Sequence, residues 1–203
     1  MRIAGILLCL LLSLAAFGQE SKNEIGFTIG AELIPDRTSG GETVGVGNSI
    51  IFGANYARHL TGDHTRLYLE FPFTAAPSHA VRTADTNSTP NLATLYVVPS
   101  LRVKFASNHT ISPWISAGFG YGLYEGNRFL ANDNPNPHRR NSSGTAQFGV
   151  GADMRTGLKV LFPISLRGEF RDFYTIANPE YGGPVSGYGQ HNLVLTGGFV
   201  IHF

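Results

Sequence analysis

Charge is scarce in this chain. Asp, Glu, Lys and Arg together make 14% of the 203 residues, where a soluble domain carries about a quarter. The formal net charge of +1 leaves no electrostatic footprint for nucleic acid. Cysteine is nearly absent: Cys9 stands alone, inside the opening stretch "MRIAGILLCLLLSLAAFGQE". That stretch has Arg2 after the first residue, an apolar run from Ile3 to Phe17, and small residues before Gln19. These are the three parts of a secretory signal, so residues 1–18 read as a signal peptide cleaved after Gly18. The run is short for a retained spanning helix, which needs about 20 apolar residues. Bulky Leu7 and Leu8 argue against an acylated lipoprotein cysteine. The remaining 19–203 then hold no cysteine, which excludes a disulfide framework, thiol chemistry and a Cys-ligated metal. No later segment carries a long unbroken apolar run, so no spanning helix is expected there. The length suits one domain.

What is present is alternation with period two. In "IGFTIGAEL", Ile25, Phe27, Ile29, Ala31 and Leu33 face one way, with Gly26, Thr28, Gly30 and Glu32 the other. Seven further stretches repeat this: "SIIFGANYA", "TRLYLEFPF", "LYVVPSLRVKF", "ISAGFGYGLY", "TAQFGVGADMR", "ISLRGEFR" and the closing "LVLTGGFVIHF". Each is about ten residues, enough to cross a bilayer as a tilted strand. Connections near 60–63, 106–110 and 155–160 are short; those near 35–48, 76–91, 125–143 and 176–189 are long and polar. Short turns on one side and long loops on the other are the layout of an outer-membrane barrel, with both termini on the periplasmic side. The competing reading is a soluble sandwich or lipocalin-like barrel with its apolar face inward. Against it, one face of every strand is almost free of charge, while the other mixes charge with glycine, as a crowded polar interior does. Strands in lipid must close so that every backbone group is paired. The fold class expected is all-β: an eight-stranded antiparallel transmembrane up-and-down β-barrel in the cell outer membrane of a Gram-negative bacterium.

Particular motifs strengthen this. "SPWISAGFGYGLYEG" resembles the fifth strand of small outer-membrane barrels of the OmpA/OmpX type, and "FGVGADMRTGLKVLFPISLRGEFRDFY" resembles their next hairpin. "RGEFRDFYT" is most similar to porin-family outer membrane β-barrel domain proteins. Phe199, Ile201 and Phe203 match the family's C-terminal assembly signal, which the barrel assembly machinery reads during insertion. The resemblance implies fold and location strongly and activity hardly at all.

The inward faces collect Glu32, Arg66, Glu70, Arg102, Lys104, Asp153, Arg155, Arg167, Glu169 and Arg171. An eight-stranded barrel is just wide enough for side chains to fill, and an unpaired buried charge costs several kcal/mol. The reading adopted is a salt-bridge network that fills the lumen. The alternative is a narrow ion or solute channel; six basic against four acidic residues in this set tilt that alternative towards anions. The role expected is structural or surface-interactive, with no enzymatic activity and no cofactor.

Other candidates are weaker. A lipid A-modifying enzyme, the third reading, needs a Ser or His near the outer rim with an orienting carboxylate. Ser78-His79 in the second loop, and Glu125, His138 and Ser142 in the third, do not sit in such a strand context. His59, His64, His109 and His202 map to the periplasmic rim and His79, His138 and His191 to the outer one, without ligand spacing for a metal. The sequon Asn87-Ser88-Thr89 has no meaning in a bacterium. Tyr56, Tyr121, Tyr124, Phe105, Phe173 and Tyr174 are assigned to interfacial girdles, and Trp114 to a periplasmic strand start. His138, Arg139 and Arg140 in the most polar loop match lipopolysaccharide phosphates, although a solubilising role suffices. Outer-membrane lipids and lipopolysaccharide are the partners expected, and a monomer the expected state.

Overall fold

The computed structural model describes residues 22–39, 42–159, 162–177 and 188–203. Residues 1–18, read above as a signal peptide, Cys9 among them, and most of the fourth long connection lie outside the described residues. Eleven strands form: β1 (Asn23–Leu33), β2 (Arg37–Ser39), β3 (Glu42–Val46), β4 (Ser49–Thr61), β5 (Arg66–Arg82), β6 (Asn91–Val97), β7 (Ser100–Lys104), β8 (Ile111–Gly126), β9 (Arg140–Lys159), β10 (Pro163–Ala177) and β11 (Tyr188–His202). β6 and β7 are one barrel strand, interrupted at Val98-Pro99, because both pair with β5 and β8. β2 and β3 are a small hairpin beyond the rim, where β3 meets the end of β5 at Gly45 and Val46. The remaining strands form an antiparallel ring of eight, closed by β1 against β11 from Glu24↔His202 to Leu33↔Leu193. The Phe203 backbone extends that seam by exchanging two 2.9 Å hydrogen bonds with Asn23. A closed ring leaves no open sheet edge.

Exposure settles which way the alternation points. Phe119, Tyr121 and Leu195 are 60% exposed or more, while Glu32, Glu70 and Arg102 are 0% exposed. The fold is thus inverted relative to a water-soluble barrel. Large apolar side chains cover the outside and charges fill the inside. An outer surface of this kind suits lipid.

Several strand ends differ from the sequence reading. β5 continues to Arg82, so residues 76–82 are strand and not loop. Pro77 sits where the register with β6 shifts between Ala76 and His79, a bulge that tolerates the missing donor. β8 includes Glu125 and β9 includes Ser142, so neither lies in the third loop. β9 also absorbs Arg155–Lys159, so these residues are strand and not connection. Gly62 turns the β4–β5 connection at φ +93°; a Cβ there would lie 2.0 Å from the Thr65 carbonyl oxygen, so only glycine fits without rearrangement.

Candidate functional site: the filled lumen

The lumen divides into two halves. The half on the short-turn side is built around Trp114 on β8. Its indole is buried and lies over Gly151 on β9, its directly paired residue. A Cβ at Gly151 would stand 2.5 Å from the Trp114 ring, so this lumen-facing glycine makes room for the aromatic. Three guanidiniums surround the ring, with Arg171, Arg167 and Arg102 at 5.2, 5.4 and 5.6 Å from its centroid. Cation–π attraction is strongest where water is excluded.

Four carboxylates hold these cations. Glu24 Oε1 accepts from Lys104 Nζ at 2.8 Å, and its Oε2 accepts from Arg102 and, at 3.4 Å, from Arg167. Asp153 takes a two-pronged contact from Arg167, Nε to Oδ1 at 2.7 Å and Nη2 to Oδ2 at 2.9 Å, and Lys104 reaches Oδ2 at 2.6 Å. Glu70 accepts from Arg171 Nη1 at 2.9 Å and from Asn55 at 3.1 Å. Glu169 takes the other Arg171 nitrogen at 3.1 Å and the Thr196 hydroxyl at 3.1 Å. Arg102 Nε and Nη1 make no hydrogen bond, although Nε lies 3.4 Å from Glu70 Oε2; the guanidinium also faces the Tyr68 ring at 4.7 Å. Glu24, Glu70, Asp153 and Glu169 balance Arg102, Lys104, Arg167 and Arg171, four against four.

Three of the ten sequence candidates stand apart from this cluster. Arg66 is half-buried at the short-turn rim and donates to the Asp63 carbonyl. Arg155 is exposed and donates to the Ser107 carbonyl. Glu32 lies in the other half. Glu24, the carboxylate contacted by most cations, was absent from the set. It sits one residue before the quoted strand, and its parity with Gly26 and Glu32 was the signal that marks it as inward. Replacing those three by Glu24 removes the basic excess on which an anion preference rested. Beneath the cluster, a cavity of about 280 Å³ opens at the short-turn end, lined by Glu24, Tyr68, Lys104, Asp153, Arg155 and His202 among others. His202 binds the Ser165 hydroxyl through Nε2 at 2.9 Å.

The half on the long-loop side has one central carboxylate. Glu32 accepts from Tyr96 Oη at 2.6 Å and from Thr94 Oγ1 at 2.7 Å, and lies 3.0 Å from His79 Nε2. His79 Nδ1 faces the Gly47 carbonyl oxygen at 2.8 Å. An imidazole between a carbonyl and a carboxylate needs a proton on each side, so a proton sits between His79 and Glu32. His79 is therefore a buried lumen residue of β5, not a loop or rim histidine. Tyr96 stacks on Phe173 at 4.4 Å and meets Tyr124 edge-on at 6.2 Å. Tyr124 and Phe173 are 3% and 0% exposed; they fill the lumen and belong to no girdle. Trp114, near the start of β8, is likewise a lumen residue. Tyr56, Tyr121, Phe105 and Tyr174 do face outward.

Outside the barrel, His191 Nδ1 meets Asp172 Oδ2 at 2.7 Å on the β10–β11 wall. Arg139 and Arg140 both bind Glu125 Oε1 at the long-loop rim. The Phe203 ring meets Phe162 edge-on at 6.2 Å, and Phe199 lies 5.6 Å from Phe27 across the seam.

No protein-family model and no curated protein matches the chain. Solved structures do. Neisserial surface protein A (NspA) aligns with a TM-score of 0.59 at 10% identity, over 91% of this chain and 99% of that one. Ail, the attachment invasion locus protein of Yersinia pestis, was solved with the heparin analogue sucrose octasulfate. It aligns at 0.49 and 13% identity, over 89% and 99%. The outer membrane enzyme PagL aligns at 0.42 and 14% identity, over 88% and 98%. The chain has the fold of the small eight-stranded outer-membrane β-barrels.

Proposed function

We propose that the protein is an integral outer-membrane barrel of a Gram-negative bacterium, that its lumen is closed by a fixed ion-pair plug, and that it acts through its surface and loops. It is neither a channel nor an enzyme in this reading. The observation that carries it is the charge pairing of the short-turn half: four carboxylates and four cations contact one another around Trp114, with 0–9% of each side chain exposed. Charges so held are costly to separate, and a conducting path needs sites that ions can both enter and leave. The partners in this reading are outer-membrane lipids, lipopolysaccharide and, during insertion, the assembly machinery. The protein is a monomer in this reading.

Planar-bilayer recording tests the plug. The native protein should give no stepwise conductance, and a steady ohmic current would reject the reading. Location is tested separately. The folded protein should migrate differently on gels before and after boiling. Deleting Phe203, which removes the last two hydrogen bonds of the β1–β11 seam, should lower the amount in the outer membrane. Unchanged levels would remove Phe203 from the assembly signal.

A further inference from the structure

We propose that the outer wall seats one phosphorylated lipid of the outer leaflet at the long-loop ends of β6, β8 and β9; the proposal rests on the outer-membrane reading above. The outward residues of β8 are apolar from Ile115 to Leu123, and the next one is Glu125. On β9 the first outward charge is Arg140, which pairs directly with Glu125. The stretch from Ile111 to Leu123 rises about 28 Å along the membrane normal at a tilt near 45°, close to the apolar band of about 25 Å in such barrels. Glu125 and Arg140 therefore stand where hydrocarbon gives way to headgroups.

Charge and shape agree at that border. Arg139 and Arg140 share one carboxylate oxygen of Glu125. Two guanidiniums against one carboxylate leave one positive charge. Arg140 is the looser of the two, 3.4 Å from Glu125 and with its side chain 76% exposed, so its donors remain open to a phosphate, the anion a guanidinium matches in a two-pronged contact. Directly below lies a groove of about 270 Å³, lined by Ala93, Leu95 and Leu123 with Arg140 at its edge. Small Ala93 leaves the hollow, and the two leucines give it an apolar floor. A phosphate on Arg139 and Arg140 places an acyl chain of the same molecule over Leu95 and Leu123. Glu125 is a positioning residue that holds both guanidiniums at the border. A soluble anion would use the arginines but not the groove, so the seat fits a lipid.

The test is lipid retention by the full-length mature protein folded in detergent, read by native mass spectrometry with added bisphosphorylated lipid A. The native protein should retain it. R139Q/R140Q should weaken retention by about tenfold or more, as loss of a charge-assisted pair implies. Enzymatically dephosphorylated lipid A should bind the native protein as weakly as that. R66Q/R155Q, at the opposite rim, should bind like the native protein, and millimolar inorganic phosphate should not displace the lipid. Equal retention by both double variants, indifference to the lipid phosphates, or displacement by inorganic phosphate would each overturn the seat. The boiling-dependent gel shift is run on every sample. Its loss in R139Q/R140Q alone would move the test to the single R140Q variant, with the same expectation. Its absence in the native protein would bring down the membrane reading itself, which separates the two failures.

Discussion

The two halves of the lumen solve the same problem differently. Both hold buried carboxylates inside the same eight-stranded ring. The short-turn half surrounds Glu24, Glu70, Asp153 and Glu169 with four cations and uses Trp114 as a shared platform. The long-loop half surrounds Glu32 with two hydroxyls and one histidine and closes the space with Tyr96, Phe173 and Tyr124. In the first, all the charges but Glu169 contact two or three opposite charges. In the second, most donors are neutral and return to ordinary polar groups if the carboxylate is lost. The difference predicts that equal chemistry has unequal consequences in the two halves.

The sharpest comparison is a matched pair of substitutions. Glu24→Gln leaves Arg102, Lys104 and Arg167 with fewer counter-charges and should cost about 3–5 kcal/mol, the cost of breaking a buried ion pair. The urea midpoint of the folded protein in detergent measures it, and an unchanged midpoint would break the comparison outright. Next, Gly151→Val places atoms where the Trp114 ring lies and should cost about 1–3 kcal/mol by overpacking. Trp114 is the sole tryptophan of the chain, so its emission should shift to the red as the ring leaves its buried site. Gly168→Ala, whose Cβ would meet nothing within 4 Å, should leave emission unchanged. Glu32→Gln should cost about 1–2 kcal/mol, in the range of lost hydrogen bonds to a charged group. A larger loss than for Glu24→Gln would reverse the ranking of the halves. Arg66→Gln and Arg155→Gln together should shift the midpoint least, since both sit at the rim outside the cluster. A shift comparable to that of Glu24→Gln would return them to the plug.

Much of this was legible as alternation. Eight apolar faces, their outward direction and the long-short rhythm of connections follow from residues such as Phe27, Leu69, Phe148 and Leu195, because side chains in a strand alternate sides without exception unless a bulge intervenes. The errors have local causes. The polar stretch from residue 76 onward was assigned to a connection, which hid the last residues of β5 and with them the lumen position of His79. Tyr124 was grouped with Tyr121 by residue type, although three positions along a strand place them on opposite faces. Glu24 fell just outside the quoted stretch. Arg66 and Arg155 have inward parity but sit at the short-turn rim, Arg66 at the start of β5 and Arg155 beside the start of β10, where a side chain reaches solvent instead of the lumen.

The sequence alone decided that the chain alternates, that charge gathers on one face, and that the strands number eight. It did so because period two is a property of neighbouring residues. Only the tertiary structure decided which charges meet. Glu24 joins Arg102, 78 residues away, and Arg167, 143 residues away. His79 reaches Glu32 from a different strand, 47 residues on. These contacts depend on the stagger between strands and on closure of the ring. The alternation along any single strand does not carry that information.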